Sequence, residues 1–337
     1  MPKKKQTSSA APYDALTPEC LLDAVDATGL KTDGRLQGLN SFENRVYQVW
    51  AEGHAGGRSV VVKFYRPRRW SRAAIMEEHD FAKALAAAEL PVVAPLRLKG
   101  CTLHEHAGFM FAIYPRRGGR TPELEDQETL RWLGRLIARI HVVGEQDGFR
   151  ARPAISIREF GEAPVQYVLD HDFVPDDLRI AYETTALDVL ERVRACWDAA
   201  GPYRTLRLHG DCHAGNMLWT DAGPHFVDLD DARMAPAVQD LWMFLSGGRQ
   251  DQQLQLRHLL KGYREFRAFN PDELRLIEPL RTLRILHYSG WLAQRWQDPA
   301  FVQAFPFFNT QRYWQDHILS LREQAAALEE EPLELDY

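Results

Sequence analysis

The stretch RLHGDCHAGNMLW, residues 207–219, sets two histidines, an aspartate, two glycines and an asparagine close together and then turns apolar. It continues as TDAGPHFVDLDDARMAPAVQD, residues 220–240. NMLW reads as a short strand, TDAG as a turn and HFVDL as a returning antiparallel strand. The hairpin then carries Asn216 at the start of its first strand and Asp228 near the end of its second. Both oxygen-bearing side chains therefore lie at the same end, with Asp211 in the loop just ahead. A hard cation such as Mg²⁺ takes oxygen ligands, commonly one or two carboxylates together with substrate phosphates. An aspartate five positions before a metal-binding asparagine is the spacing of a kinase catalytic loop. There the aspartate handles the acceptor proton. A polar turn closed by Asx hydrogen bonds accounts for any one of these residues, but not for the whole ordered set.

Working outward, residues from about 13 to 114 read as a small β-rich unit. TPECLLDAVDATGL is an N-capped helix with Pro18 in its first turn. RVYQVWAEGHAGGRSVVVKFYRP reads as two strands around the turn EGHAGG, with Val60, Val61 and Val62 leading to Lys63. RAAIMEEHDFAKALAAAEL is a helix by composition, ended by Pro91. VVAPLRLKG and GFMFAIYP read as further strands. Beyond about residue 123 the pattern is mostly helical. Leu130, Leu133, Ile137 and Ile140, for example, fall at spacings of three and four.

The chain has 337 residues, of which 45% are hydrophobic and 26% charged, so a folded core needs no staples. The formal net charge of -6 argues against nucleic acid as a partner. No run of about 18 apolar residues is present, so no membrane helix is expected. Cys20, Cys101, Cys196 and Cys212 form no CxxC pair and read as reduced thiols. Cys212 beside His213 is a poor zinc signal without a second pair of ligands. Residues 1–12, with Lys3, Lys4 and Lys5, read as a disordered basic tail.

HGDCHAGN followed by FVDLDD resembles the catalytic core of the aminoglycoside phosphotransferase and choline kinase superfamily. LNSFENRVYQV, VVKFYRPRRW, FVDLDDARMAPAVQDLWMFL and IEPLRTLRILHY are together similar to the bacterial stress response kinase A family, from about residue 15 to the end of the chain. The resemblance implies an α+β, bilobal protein-kinase-like fold. Its N-lobe would be residues 13–114, β-rich with one helix, and its C-lobe residues 115–337, larger and mainly helical. It implies an ATP- and Mg²⁺-dependent cytoplasmic kinase acting in stress protection. The acceptor would be protein Ser and Thr, including the kinase itself. Asp211 takes the catalytic position, Asn216 and Asp228 the metal positions, and Ser41 the ATP-contacting loop.

The kinase-like fold sets further expectations. Lys63 would steady the α- and β-phosphates. A helix glutamate would pair with it, with Glu78 better placed than Glu77. Asn44 would assist Ser41 in a loop that lacks the G-x-G-x-x-G pattern, and backbone groups at Ile113 and Tyr114 would face adenine. Asp240 would brace the catalytic loop, while Asp230 and Asp231 would be exposed acids beside the metal. Arg66, Arg68, Arg69 and Arg72 form a basic cluster suited either to an acidic segment or to a solvated connector. The late aromatics, among them Tyr288, Trp291, Tyr313 and Trp314, suit a helical core, with a cation–π cage as the competing reading. A small-molecule hydroxyl kinase and a nucleotide-responsive pseudokinase stand as alternatives. No membrane partner is expected, and the protein is expected to be a monomer.

Overall fold

The computed structural model describes residues 12–52, 58–221 and 223–334. The basic tail, apart from its last residue, and residues 53–57 of the EGHAGG turn lie outside the described residues. The chain divides into two compact units. Unit 1 takes its described residues up to Ile75, together with Ala94–Arg116 and Arg295–Pro306. Unit 2 takes Met76–Val93, Arg117–Gln294 and the rest from Phe307. The helix expected within the small half therefore passes from one unit into the other at Met76, and residues 295–306 join the β-rich unit. The mixed α+β architecture expected from the sequence is present.

Unit 1 is an antiparallel sheet with a helix on one face. Its strands are β1 (Lys31–Gly38), β2 (Arg45–Glu52), β3 (Ser59–Phe64), β4 (His104–His106) and β5 (Phe109–Pro115), in the order β1-β2-β3-β5-β4. Helix α1 (Pro18–Ala27) starts where the Thr17 side chain accepts the Cys20 N–H, and it buries Leu21, Ala24 and Val25. Those residues pack with Val60, Val62, Phe64, Phe111 and Ile113. Each such fully buried side chain contributes roughly 1.5–3 kcal/mol. Side chains alternate along a strand. Val60, Val62 and Phe64 take the α1 face, so Lys63 emerges on the other.

Two sequence expectations fail here for local reasons. β1 was not foreseen, because KTDGRLQG is an exposed edge strand with an irregular register between Thr32 and Leu36 and carries no apolar alternation. VVAPLRLKG makes only isolated bridges at Val92 and at Leu98 instead of a strand. Pro95 has no N–H to place in a ladder.

Unit 2 holds most of α2 (Arg72–Ala87), followed by α3 (Gln127–Gly144), α4 (Ala163–Asp170) and α5 (Asp176–Ala199). Short strands β6 (Leu206–Leu208), β7 (Met217–Thr220), β8 (Gly223–Phe226) and β9 (Arg233–Ala235) come next. Then follow α6 (Gln239–Trp242), α7 (Arg249–Tyr263), α8 (Ile277–Arg295) and α10 (Gln311–Ala327); α9 (Pro299–Ala304) belongs to unit 1. The helix expected over QDLWMFLSG is the single turn α6, which gives way to Gly247 at a positive φ of 80°. Helices α3 and α7 pack backbone to backbone. A Cβ on Gly134 would meet Leu259 O at 1.9 Å, and one on Gly262 would meet Arg131 O at 1.9 Å. This close pair supports the site described next.

Candidate active site

The sequence hairpin forms as read. β7 and β8 pair from Met217↔Phe226 to Thr220↔Gly223, and β6 pairs with β9. Asn216 closes a 3₁₀ turn immediately before β7, and the Val227 N–H donates to the Asn216 carbonyl at 3.0 Å. Asp228 is thereby brought to the end of the ladder that Asn216 begins. Its backbone is left-handed, with φ 61° and ψ 63°, and the chain turns sharply there into the segment Leu229–Asp231. A non-glycine residue in this region stores roughly 1–3 kcal/mol of strain.

The loop ahead of the hairpin is held from the helical core. The Asp240 carboxylate accepts the N–H of His209 at 2.8 Å and that of Gly210 at 2.9 Å. Its Oδ2 also meets His141 Nε2 at 3.3 Å, and His141 Nδ1 meets the Tyr263 hydroxyl at 2.8 Å. Tyr263, His141 and Asp240 thus run as a buried polar chain from α7 through α3 to the loop backbone. The expected brace is present in this form. Gly210 has φ +83°, and a Cβ there would meet Asp231 O at 2.1 Å, so only glycine fits. His209 is fully buried and its Nε2 meets the Val227 carbonyl at 2.9 Å, which locks the loop to the hairpin.

Asp211 follows this brace. Asn216 donates through Nδ2 to the Asp211 carbonyl at 2.9 Å and to its carboxylate at 3.3 Å. The amide oxygen of Asn216 is left for another partner. His213 accepts the Gly215 N–H on Nδ1 at 3.0 Å. Its Nε2 is the protonated nitrogen by that logic, and it lies 3.4 Å from Asp211 Oδ2. Arg284, on α8, donates to Asp211 Oδ1 at 2.6 Å. Burial pushes the Asp211 carboxyl up, but the His213 contact and the Arg284 charge outweigh it and hold the group well below the usual carboxylate range. Asp211 is therefore an anion, available as a hydrogen-bond acceptor and unsuited to donating a proton.

An oxygen donor set of this kind fits Mg²⁺. The Asn216 amide oxygen and the Asp228 carboxylate are hard ligands, and the remaining positions suit phosphate oxygens or water. No group of three or more His, Cys, Asp or Glu among the described residues forms a self-contained metal cage. Cys212 is buried, and burial pushes its thiol well up, so it has the character of a packing residue rather than a thiolate ligand.

One acid differs from expectation. Asp230 is buried, not exposed. The turn after Asp228 folds inward over Arg152, whose guanidinium donates to the carbonyls of Asp230 and Ala232 and to Glu78 at 3.1 Å. Glu77 also faces this segment and accepts the N–H groups of Arg150, Ala151 and Arg152. Within unit 2, then, α2 is tied through Glu78 and Arg152 to the turn that follows Asp228, and through Glu77 to the backbone of residues 150–152.

In unit 1, Lys63 is buried on β3 with its ammonium 5.1 Å over the Tyr65 ring. Ser41 is half-buried in the bend after β1. Asn44 is buried, and its Oδ1 accepts the Arg66 N–H at 3.1 Å. The Ile113 side chain lies in the core, its carbonyl accepts the Leu96 N–H at 2.6 Å, and the Tyr114 hydroxyl meets that of Tyr65 at 3.1 Å. The arginine cluster is internally engaged. Arg66 bonds Asp298 at 3.0 Å, Arg69 approaches Glu43, and Arg72 bonds Glu105. Among the late aromatics, Trp314 and Phe308 are core residues, whereas Tyr288 is exposed and stacks on Trp291.

Sequence reasoning singled out neither Arg152 nor Arg284. Each is far from the loop in sequence, and although Arg284 lies in the stretch IEPLRTLRILHY, only folding reveals its contact. A separate cavity of about 510 Å³ in unit 2 is lined by Cys196, Arg249, Arg275, Glu278 and Gln324 among others, and no predicted site residue lines it.

Comparison with known proteins gives the family and the fold. The sequence profile described as the phosphotransferase enzyme family matches residues 35–277. "Stress response kinase A" of Escherichia coli is 43% identical over 328 residues, covering 97% of this chain and 98% of the relative. "Serine/threonine protein kinase RdoA" of Salmonella typhimurium is 44% identical over 327 residues, covering 97% and 98%. Among solved structures, amicoumacin kinase hAmiN in complex with AMP-PNP, Ca²⁺ and Ami superposes with a TM-score of 0.69 at 19% identity, over 93% of this chain and 94% of that one.

Proposed function

The chain belongs to the phosphotransferase enzyme family, and we propose that it is an ATP- and Mg²⁺-dependent cytoplasmic protein kinase that phosphorylates Ser and Thr in a bacterial stress response, itself included. The observation that carries the phosphoryl-transfer part is the Asp211–Asn216–Asp228 arrangement on a braced loop and hairpin. The protein acceptor is supported by the name of the Salmonella relative, "Serine/threonine protein kinase RdoA". Full-length likeness to "Stress response kinase A" supports the stress role.

Asp211 orients the acceptor hydroxyl and takes its proton as the oxygen attacks the γ-phosphorus. The Asn216 amide oxygen and the Asp228 carboxylate hold the metal, and Asp240 keeps the loop backbone rigid beneath them. A Mg²⁺ held there would supply positive charge against the phosphate oxygens. Lys63 steadies the α- and β-phosphates, and Arg152 anchors Glu78 on α2. Ser41 offers the loop hydroxyl. Asn44 fixes that loop through Arg66, and the backbone at Ile113 and Tyr114 faces adenine. Catalysis comes from positioning and charge neutralisation.

A small-molecule hydroxyl kinase is the second reading. It is favoured by the exposed Tyr288, stacked on Trp291 one turn beyond Arg284. The intact Asp211, Asn216 and Asp228 set disfavours a pseudokinase. Labelled phosphoryl transfer from γ-labelled ATP separates the three. With Mg²⁺, label on protein Ser or Thr that disappears in Asp211→Ala supports the proposal. Label confined to choline or an aminoglycoside overturns the acceptor. ATP binding with no transfer to any acceptor overturns the activity.

A further inference from the structure

The catalytic loop of this chain, DCHAGN from Asp211 to Asn216, contains no lysine or arginine. Phosphoryl transfer spreads negative charge over three equatorial oxygens, and a cation delivered to them accelerates the reaction. Within unit 2, Arg284 is bonded to this loop, whereas Arg152 and Arg233 are bonded to the turn after Asp228, and the three guanidinium groups differ in what they have left to give. Arg152 is wholly buried, and its donors are taken by Glu78 and by the Asp230 and Ala232 carbonyls. Arg233 is buried and paired with Asp231. Arg284 is 44% exposed, bonds Asp211 Oδ1 through Nη1, and donates its other N–H groups to no group among the described residues. It stands against the Asp211 carboxylate, with a donor edge left over within one guanidinium's width of it.

We propose that Arg284 is the catalytic cation of this site. One N–H holds Asp211, and the remaining ones take the equatorial oxygens of the phosphoryl group in flight. The acceptor oxygen forms the new bond to phosphorus. The bond from phosphorus to the β,γ-bridging oxygen breaks, and its electron pair leaves on ADP. The acceptor proton passes to Asp211 and from there to solvent. Helix α8 thus supplies from a distance the positive charge that the loop itself lacks. Arginine suits this task because its planar fork presents several N–H donors and stays charged at any working pH.

The inference rests on the phosphoryl-transfer reading above, and the test separates the two. Wild type, Arg284→Ala and Arg284→Lys are compared in steady-state transfer and in binding of Mg·ADP with and without aluminium fluoride, a planar phosphoryl mimic. The expected result for Arg284→Ala is a fall in kcat of about 10³-fold, with KM for ATP within about threefold of wild type. Arg284→Lys recovers part of the loss. The thermal stabilisation that fluoride adds to Mg·ADP in wild type disappears in Arg284→Ala. An unchanged kcat, a loss confined to the acceptor KM, or equal fluoride stabilisation in both proteins overturns the role of Arg284 and leaves the kinase standing. Wild type that transfers phosphoryl to no acceptor overturns both.

Discussion

The hairpin region of unit 2 and the strand-and-loop region of unit 1 each carry residues that the sequence marks for function, and they treat their polar side chains differently. In unit 2 the side chains near Asp211 are held in place with a working atom left over. Asn216 occupies its amide nitrogen and keeps its oxygen, and Arg284 uses one N–H of five. In unit 1 several of the predicted groups are occupied by the fold itself. Asn44 gives its oxygen to the Arg66 backbone, and Ile113 gives its carbonyl to Leu96. A site for chemistry needs unoccupied atoms on rigid supports, whereas a site for holding a nucleotide is built largely from backbone shape. The first kind writes itself into side-chain identity, and the second much less so.

The sharpest way to break this contrast is at Asp211. Asp211→Ala should lower phosphoryl transfer by about 10²–10⁴-fold with little change in melting temperature, because its ion pair with Arg284 is partly exposed. A large loss of stability would mean that Asp211 is scaffold after all. Arg152→Ala comes next. It strands the buried Glu78 carboxylate and two carbonyls, so chemical denaturation should show a loss of about 3–5 kcal/mol. A loss near zero would show that α2 is not tied to the turn after Asp228 through this arginine. Asp240→Ala leaves two buried N–H groups of the loop without an acceptor and should cost about 2–4 kcal/mol by the same measurement. Activity should fall with it, since the loop loses its brace. Asn44→Ala is the smallest, at about 1–3 kcal/mol. If that variant instead keeps its stability and loses only ATP affinity by calorimetry, Asn44 is a nucleotide ligand and the contrast between the units narrows.

Much of the catalytic half was legible because its parts are close in sequence. Asp211, Asn216 and Asp228 lie within one loop and one hairpin, and local spacing alone brings them to the same end. Asp240 was legible for a related reason, as an acid opening a helix shortly after the hairpin. Arg284 and Arg152 were not, because their contacts form only when α8 and the segment after α3 close on the loop. The β-rich unit was legible where β-branched runs exist, as in β3, and silent where an edge strand is polar, as in β1. Asp230 was misread as exposed because charge suggests solvent, and only the inward 3₁₀ turn over Arg152 reverses that.

The most direct test of the account is transfer of label from γ-labelled ATP in the presence of Mg²⁺, with wild type beside Asp211→Ala and with protein and small-molecule acceptors offered separately. The account predicts label on protein Ser and Thr from wild type and a loss of about 10²-fold or more in the variant. Transfer that persists within a few-fold in Asp211→Ala would contradict it.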